Sequence, residues 1–310
     1  MQTVMITGGT GTIGKHLSAM LVKRGYKVII LTRGNNTGSN HPGITMARWD
    51  VKREEIDVAA IQQADYIIHL AGANVADGRW TKKRKKEIVE SRTKSSALLV
   101  KALKENEHKV SAVISASATG WYGEDTLSSR QYGFKEDAPA AKDFLGNTCR
   151  FWEESIEPVT RFGVRLVKLR TGIVLSNDGG AWLEFKKPLK AGIAAIMGSG
   201  RQVVPWIHIE DICRLYVYAI ENKKLAGSYN AVSPNAVTNK TLVLQMARQR
   251  NHFYIPVHVP ALALKIALGE MSIEILKSVT ASAEKIQSAG FAFLYPAINE
   301  AVRELCGLKG

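Results

Sequence analysis

Cysteine is scarce in this chain, and the three present, Cys149, Cys213 and Cys306, lie far apart. No Cys-x-x-Cys pair occurs and the number is odd, so the spacing supports neither a zinc site nor a disulfide framework. Reduced thiols in a cytoplasmic protein are the expectation. No uncharged apolar run reaches the roughly 18 residues of a membrane span, so neither a transmembrane helix nor a membrane partner is predicted. The N-terminus lacks a basic stretch leading into a long apolar one, and no signal peptide is expected. Internal repeats and low-complexity tracts are absent.

What is present is an ordinary globular composition: 310 residues, 45% apolar and 23% charged. That length suffices for one large domain with a smaller lobe. The net charge of +14 favours anions: phosphates, nucleic acid or acidic membrane. One dense block, Lys82-Lys83-Arg84-Lys85-Lys86, has two readings. It is a nucleic-acid patch, or the solvated face of a helix that continues through Ile88 and Glu90; helical spacing favours the second.

Through the first 170 residues, short apolar runs alternate with helical patterns. Strands are predicted at 3–7, 27–32, 44–48, 65–70, 110–115 and 164–169, with helices at 14–24, 83–105 and 151–161. Alternating β and α units imply a doubly wound α/β sheet of parallel, Rossmann-type strands. Beyond residue 170 helices dominate, at 210–221, 239–249, 261–268, 281–289 and 296–305, with strands at 228–232 and 254–259. The expected organisation is a nucleotide-binding domain over 1–170 and a smaller, mainly helical lobe over 171–310, with 206–221 returning to the first domain.

The strongest motif is the glycine turn Gly8-x-x-Gly11-x-x-Gly14, which follows an apolar strand and opens an amphipathic helix. In such a turn the first glycine allows a tight bend. The second admits a pyrophosphate close to the backbone, and the third lets helix pack on sheet. Thr10, Thr12 and Ile13 complete the cradle at the helix N-terminus, whose free N–H groups favour anions. NAD sites place an acid about 20 residues on, to hold the ribose 2′-hydroxyl. Here Arg33 stands there and no acid follows until Asp50. A guanidinium pairs with a 2′-phosphate, so NADP(H) is favoured over NAD(H).

These residues, together with His69-Leu70-Ala71-Gly72, Leu169-Arg170-Thr171-Gly172 and Trp206-Ile207-His208-Ile209-Glu210-Asp211, resemble the extended short-chain dehydrogenases/reductases. The segments Ser117–Gly123, Gly198–Gln202 and Gly78–Trp80 look like an atypical subgroup, the NAD(P)-dependent epimerase-family proteins. The resemblance spans essentially the whole chain. It implies that Leu70, Ala71, Gly72, Ser115, Arg170 and Gly172 line the cofactor crevice, and that Trp80, Arg201 and Trp206 face the substrate. His69 reads as a strand-end or core histidine, and Trp206 equally well as a core plug.

Two departures matter. Typical members carry a Tyr and, four residues later, a Lys on the helix after the fifth strand; the matching positions hold Leu145 and Cys149. Neither can do that acid/base work. Ser117 and Tyr122 are the candidate substitutes. The arginine that often clamps a sugar-nucleotide diphosphate is replaced by Val204, with Arg201 the alternative cation. The leading expectation is an NADP(H)-binding oxidoreductase or epimerase-like enzyme acting on a small molecule by hydride transfer. An NADP(H)-binding sensor without turnover is the second reading and nucleic-acid binding a remote third. Whether the chain turns over, and whether it is oligomeric, is left open.

Overall fold

A computed structural model describes residues 1–34, 41–250 and 253–307. The first half builds strands β1 (Thr3–Thr7), β2 (Lys27–Thr32), β3 (Ile44–Asp50), β4 (Glu55–Ile56), β5 (Tyr66–His69), β6 (Ala112–Ala118) and β7 (Arg165–Thr171). Its helices are α1 (Thr12–Lys23), α2 (Val58–Gln63), α3 (Lys82–Glu105), α4 (Leu127–Tyr132) and α5 (Phe144–Ile156). The second half adds short strands β8 (Ile173–Leu175), β9 (Ile193–Met197), β10 (Val203–Val204) and β11 (Trp206–His208), then β12 (Gly227–Ala231), β13 (Val237–Thr238) and β14 (Ile255–Val259). Its helices are α6 (Ala181–Lys190), α7 (Ile209–Glu221), α8 (Asn239–Gln249), α9 (Ala261–Leu268), α10 (Ser272–Leu276), α11 (Glu284–Ser288) and α12 (Ile298–Leu305).

Eight strands form one sheet in the order β12-β7-β6-β5-β1-β2-β3-β4, parallel except where β4 turns back on β3. Strand β1 shows why its sequence is a continuous apolar run. Val4 and Ile6 pack on the face covered by α1 and α7, while Met5 points to the face covered by α2 and α3. Both faces are dry, so no polar alternation appears. A third cluster, around Trp182, Trp206, Leu242 and Val302, forms the core of the C-terminal region.

The strand order reverses between β1 and β5, since β2 lies on one side of β1 and β6 beyond β5. Such a reversal opens a crevice at the carboxyl ends of the strands, where open α/β sheets bind ligands. One assignment needs correction. The strand at 227–231 does not belong to the C-terminal lobe but extends the main sheet, with Gly227 to Ala231 in parallel register with Val167 to Thr171. Its Gly-Ser-Tyr-Asn-Ala sequence looks like a surface strand, yet Asn230 is fully buried and hydrogen-bonded. The helix expected over 281–289 shortens to α11, and the helix expected at 151–161 begins earlier, at Phe144. No helix of the described residues is long and apolar enough to cross a membrane.

Candidate functional site

The glycine turn sits at the carboxyl end of β1. Gly8 has φ +69°, and a Cβ there would lie 2.9 Å from the Leu70 carbonyl. A Cβ on Gly14 would lie 2.5 Å from the Gly8 oxygen and from Gly9 Cα, so bringing helix to strand requires glycine. Gly11 differs: its φ is −77°, and a Cβ would meet only the Gly8 oxygen, at 3.3 Å. The fold asks little of position 11. Gly11 caps α1 without a side-chain hydrogen bond, and no acid stands in the first turn. Thr10 and Gly11 are exposed, and Thr12 and Ile13 half-buried. The turn therefore presents N–H groups and a positive dipole end with no side-chain cap and no first-turn acid among the described residues.

The floor of the turn is fixed by Thr7. Its hydroxyl accepts from the Leu70 and Ala71 N–H groups, both at 3.2 Å, which leaves its proton for His69 Nδ1 at 2.7 Å. Nε2 of the ring then donates to Ser96, 3.1 Å away. Burial, with Arg92 nearby, pushes His69 down to about 3, so it is a neutral, structural imidazole, as expected for a core histidine. The loop Leu70-Ala71-Gly72 is thereby held beside the glycine turn. A Cβ on Gly72 would touch the Arg92 guanidinium at 3.1 Å.

Arg33 follows the end of β2, is exposed, and has no hydrogen-bond or ion-pair partner among the described residues. A strap over residues 176–180 leans on the other side of α1. Asp178 meets His16 at 2.5 Å, and a Cβ on Gly179 would reach Thr12 Oγ1 at 2.5 Å. Asn177 ties this strap to the Leu305 carbonyl at the end of α12.

Beyond β6 and β7 the picture is different. Arg170 is 3% exposed and forks onto Glu153, with Nε to Oε1 at 2.8 Å and Nη2 to Oε2 at 3.1 Å. Its Nη1 donates to the Tyr122 hydroxyl at 3.0 Å and to the Glu136 carbonyl, and the guanidinium stacks 3.7 Å over Trp121. Tyr122 is 4% exposed and donates to Asn230 Oδ1 at 2.6 Å. Ser117 donates to Glu153 at 2.7 Å. The structure thus brings Ser117, Tyr122 and Arg170 together, but in a buried network and not on an open wall.

Several expectations change accordingly. Burial pushes Tyr122 up to about 12, although Arg170 opposes it; proton transfer would need the reverse. Both candidate acid/base hydroxyls, Ser117 and Tyr122, are committed to internal partners. Arg170 faces Glu153 and not the cofactor crevice. Ser115 is buried, its hydroxyl donating to the Ala116 carbonyl. Gly172 is small because a Cβ would lie 2.6 Å from the Pro205 oxygen. Trp206 is a core plug, fully buried, its indole N–H donating to the Asn235 carbonyl. Trp80 is also buried, edge-on to Phe144 at 4.9 Å. Arg201 alone of the three substrate candidates is exposed. His208 caps α7 through Nδ1 and donates from Nε2 to Glu304, while Asp211 accepts from the Leu294 and Tyr295 N–H groups. The Trp206–Asp211 motif is thus a joint between the sheet and the C-terminal region.

Position 145 lies at the start of α5 beside Gly120, whose Cβ would stand 3.1 Å from Leu145 Cβ and 3.7 Å from Cys149 Sγ. Burial pushes the Cys149 thiol up to about 12, so it is neutral. Arg92 opposes that rise, with Arg170 a smaller influence; Arg92 donates to the Ala73 and Ile88 carbonyls and stacks 4.9 Å over Trp152. Sequence reasoning missed Arg92 and Glu153, because nothing in helical periodicity marks a residue that turns inward to meet a distant segment. Among the described residues no cluster of three His, Cys, Asp or Glu could hold a metal ion.

The reversal in strand order, the glycine turn and the loops at the strand ends define a Rossmann-type protein of short-chain dehydrogenase/reductase architecture. Residues 4–142 match the NAD dependent epimerase/dehydratase family, and residues 259–305 a domain of unknown function, DUF1731. An epimerase family protein of Staphylococcus saprophyticus is 34% identical over 98% of this chain and 99% of its own length. The crystal structure of human epimerase family protein SDR39U1 (isoform 2) with NADPH superposes with a TM-score of 0.85 at 25% identity, covering 99% of both chains. UDP-glucuronic acid 4-epimerase from Bacillus cereus, in complex with UDP-glucuronic acid and NAD, shares the fold with a TM-score of 0.80 at 19% identity, covering 99% of this chain and 98% of its own. The chain belongs to the epimerase family.

Proposed function

We propose that this protein binds NADP(H) across the crevice between β1 and β5 and works as an oxidoreductase or epimerase-like enzyme on a small molecule. The observation that carries the reading is Arg33, exposed and unpartnered among the described residues, at the position where NAD sites carry an acid. The human relative's NADPH agrees with it, whereas the Bacillus cereus enzyme holds NAD.

In this reading the N–H groups of the α1 first turn hold the pyrophosphate, with Gly11 allowing close approach. Arg33 pairs with the adenosine 2′-phosphate as a two-toothed donor. Leu70, Ala71 and Gly72 keep the crevice narrow, and Arg92, whose guanidinium lies against Gly72, supplies positive charge beside it. The bound cofactor supplies hydride transfer. Ser117 and Tyr122 brace the crevice through Glu153 and Arg170 and leave proton transfer to another group.

The commitment of both hydroxyls, with Leu145 and Cys149 in the usual catalytic positions, favours a second reading: a protein that holds NADP(H) without turnover. Calorimetric titration with NADPH and NADH separates the cofactor question from the turnover question. Wild type binds NADPH more tightly, and Arg33→Ala loses about 10- to 100-fold in NADPH affinity, the value of a charged hydrogen-bonded pair, with NADH unchanged. Equal affinities for the two cofactors would remove the NADP(H) assignment. Deuterium passing from labelled NADPH to any metabolite in a cell extract would remove the second reading.

A further inference from the structure

Helix α9 breaks the usual rule for a surface helix. Seven of its eight residues are apolar, Lys265 being the exception, yet only Leu264 is buried. Leu262 is 69% exposed and Ile266 67%. An amphipathic helix hides one stripe and wets the other, and a helix that is apolar all round is normally covered. Here the exposed Leu262, Ala263, Ile266 and Ala267 share an uninterrupted arc of about 140° at 100° per residue, with Lys265 standing between them and Ala261. The strand before it, β14, is exposed too, and Phe253 is 84% exposed.

A second anomaly sits against the end of this helix. Five consecutive cations, Lys82 to Lys86, open α3, with no acid in the first turn. The dipole of a helix favours acids there and disfavours cations. The two anomalies are joined. The Arg79 guanidinium donates to the carbonyls of Ile266 and Ala267, 3.0 Å to the latter, and Lys85 pairs with Glu270 just past α9. Lys82 and Lys83 are exposed without a partner among the described residues, and Lys86 reaches Glu90 only at 3.9 Å.

We propose that α9 and the α3 N-terminus together form a docking surface for a negatively charged phospholipid bilayer, with α9 lying in the headgroup region and Lys82, Lys83 and Lys86 over the lipid phosphates. Charge selects an anionic occupant: a second copy would bring the same cations against one another across a two-fold axis. Exposed Leu262 and Ile266 beside a row of free lysines pair apolar insertion with headgroup charge, the combination an anionic bilayer takes up. The sequence expectation of no membrane partner rested on the length of apolar runs. Run length detects spanning helices and is blind to one that lies on the surface.

The test is flotation of the full chain with vesicles of phosphatidylcholine alone and of phosphatidylcholine with about one-third phosphatidylglycerol. The protein is expected to float with the anionic vesicles only, and less at high salt. The exposed substitutions Leu262→Ser with Ile266→Ser should weaken partition at least about tenfold by removing two inserted side chains, and Lys82→Glu with Lys83→Glu should weaken it similarly. Unchanged thermal unfolding of the variants shows that they fold. No flotation would overturn the proposal. So would flotation untouched by the serine pair, which would reflect net charge alone. A dimer seen by light scattering and dissolved by that pair, without flotation, would make the patch a self-interface and equally overturn it.

Discussion

Two polar regions lie beyond strands of the same sheet, on either side of β5, and they are built on opposite plans. At the end of β1 the glycine turn leaves its N–H groups without a side-chain cap, and Arg33, at the end of β2, stands in the open without a partner among the described residues. At the ends of β6 and β7 each charged and hydroxyl group finds an internal answer: Arg170 on Glu153, Tyr122 and the Glu136 carbonyl, Ser117 on Glu153, and Tyr122 on Asn230. Buried polar groups are costly unless satisfied, so a closed network stabilises the fold. Exposed donors left unanswered at a strand-order reversal are what a ligand uses. The contrast teaches that proximity to the expected nicotinamide does not by itself make a residue catalytic; freedom of its polar atoms matters as much.

The comparison breaks first if Arg170 is not structural. Arg170→Ala takes from the buried Glu153 carboxylate its forked partner, leaving Lys168 at 3.8 Å and the Ser117 and Ser228 hydroxyls, and should cost about 3 kcal/mol of stability by denaturant unfolding, the lower end of the usual penalty for half of a buried ion pair. A loss of cofactor affinity with stability intact would move Arg170 back into the site.

Next in size is the pH response of His69. The folded ring titrates at about 3 and the unfolded one near 6.5, so only the unfolded chain takes up this proton between those values. The stabilisation is complete above pH 6.5 and is lost as pH falls through that window, at about 1.4 kcal/mol per pH unit. Between pH 7 and 5, wild type should therefore lose about 2 kcal/mol more than His69→Asn. Parallel pH curves for the two proteins would show that the Thr7–His69–Ser96 chain does not hold a neutral ring.

The smallest effect is at Tyr122. Tyr122→Phe keeps the ring stacked on Phe134 at 5.0 Å and removes one hydroxyl, for a cost of about 1–2 kcal/mol. Cofactor affinity should not change. Once a substrate is in hand, a drop in turnover beyond about 100-fold would exceed that cost and identify Tyr122 as an acid/base after all.

Much of the nucleotide-binding half was legible because its physics is local. Strands dry on both faces read as unbroken apolar runs, and β1 and β2 fall at the predicted residues. The glycine turn was legible because only glycine tolerates φ +69° at position 8 and the contact at position 14. Strand β12 was misplaced because its half-buried Ser228 and buried Asn230 mimic a wet surface. Helix α6 was missed because Pro188 interrupts its pattern. The Arg170 network was invisible because its partners come from segments as far apart as Ser117, Glu153 and Asn230, and no spacing rule links them. For the same reason Trp206 and Trp80, aromatic residues in motif positions, were as readable as pocket walls as they were as core.

The most direct test is calorimetric titration of NADPH into Gly11→Ala beside wild type. The fold asks little of this position, since the added Cβ meets only the Gly8 oxygen, at 3.3 Å, and φ is −77°. Stability should change by less than about 1 kcal/mol, in the range of a helix-cap substitution. If Gly11 is small for the sake of the pyrophosphate, NADPH affinity falls at least about tenfold in this stable variant. Wild-type binding retained in full by Gly11→Ala would contradict the placement of the cofactor on the glycine turn.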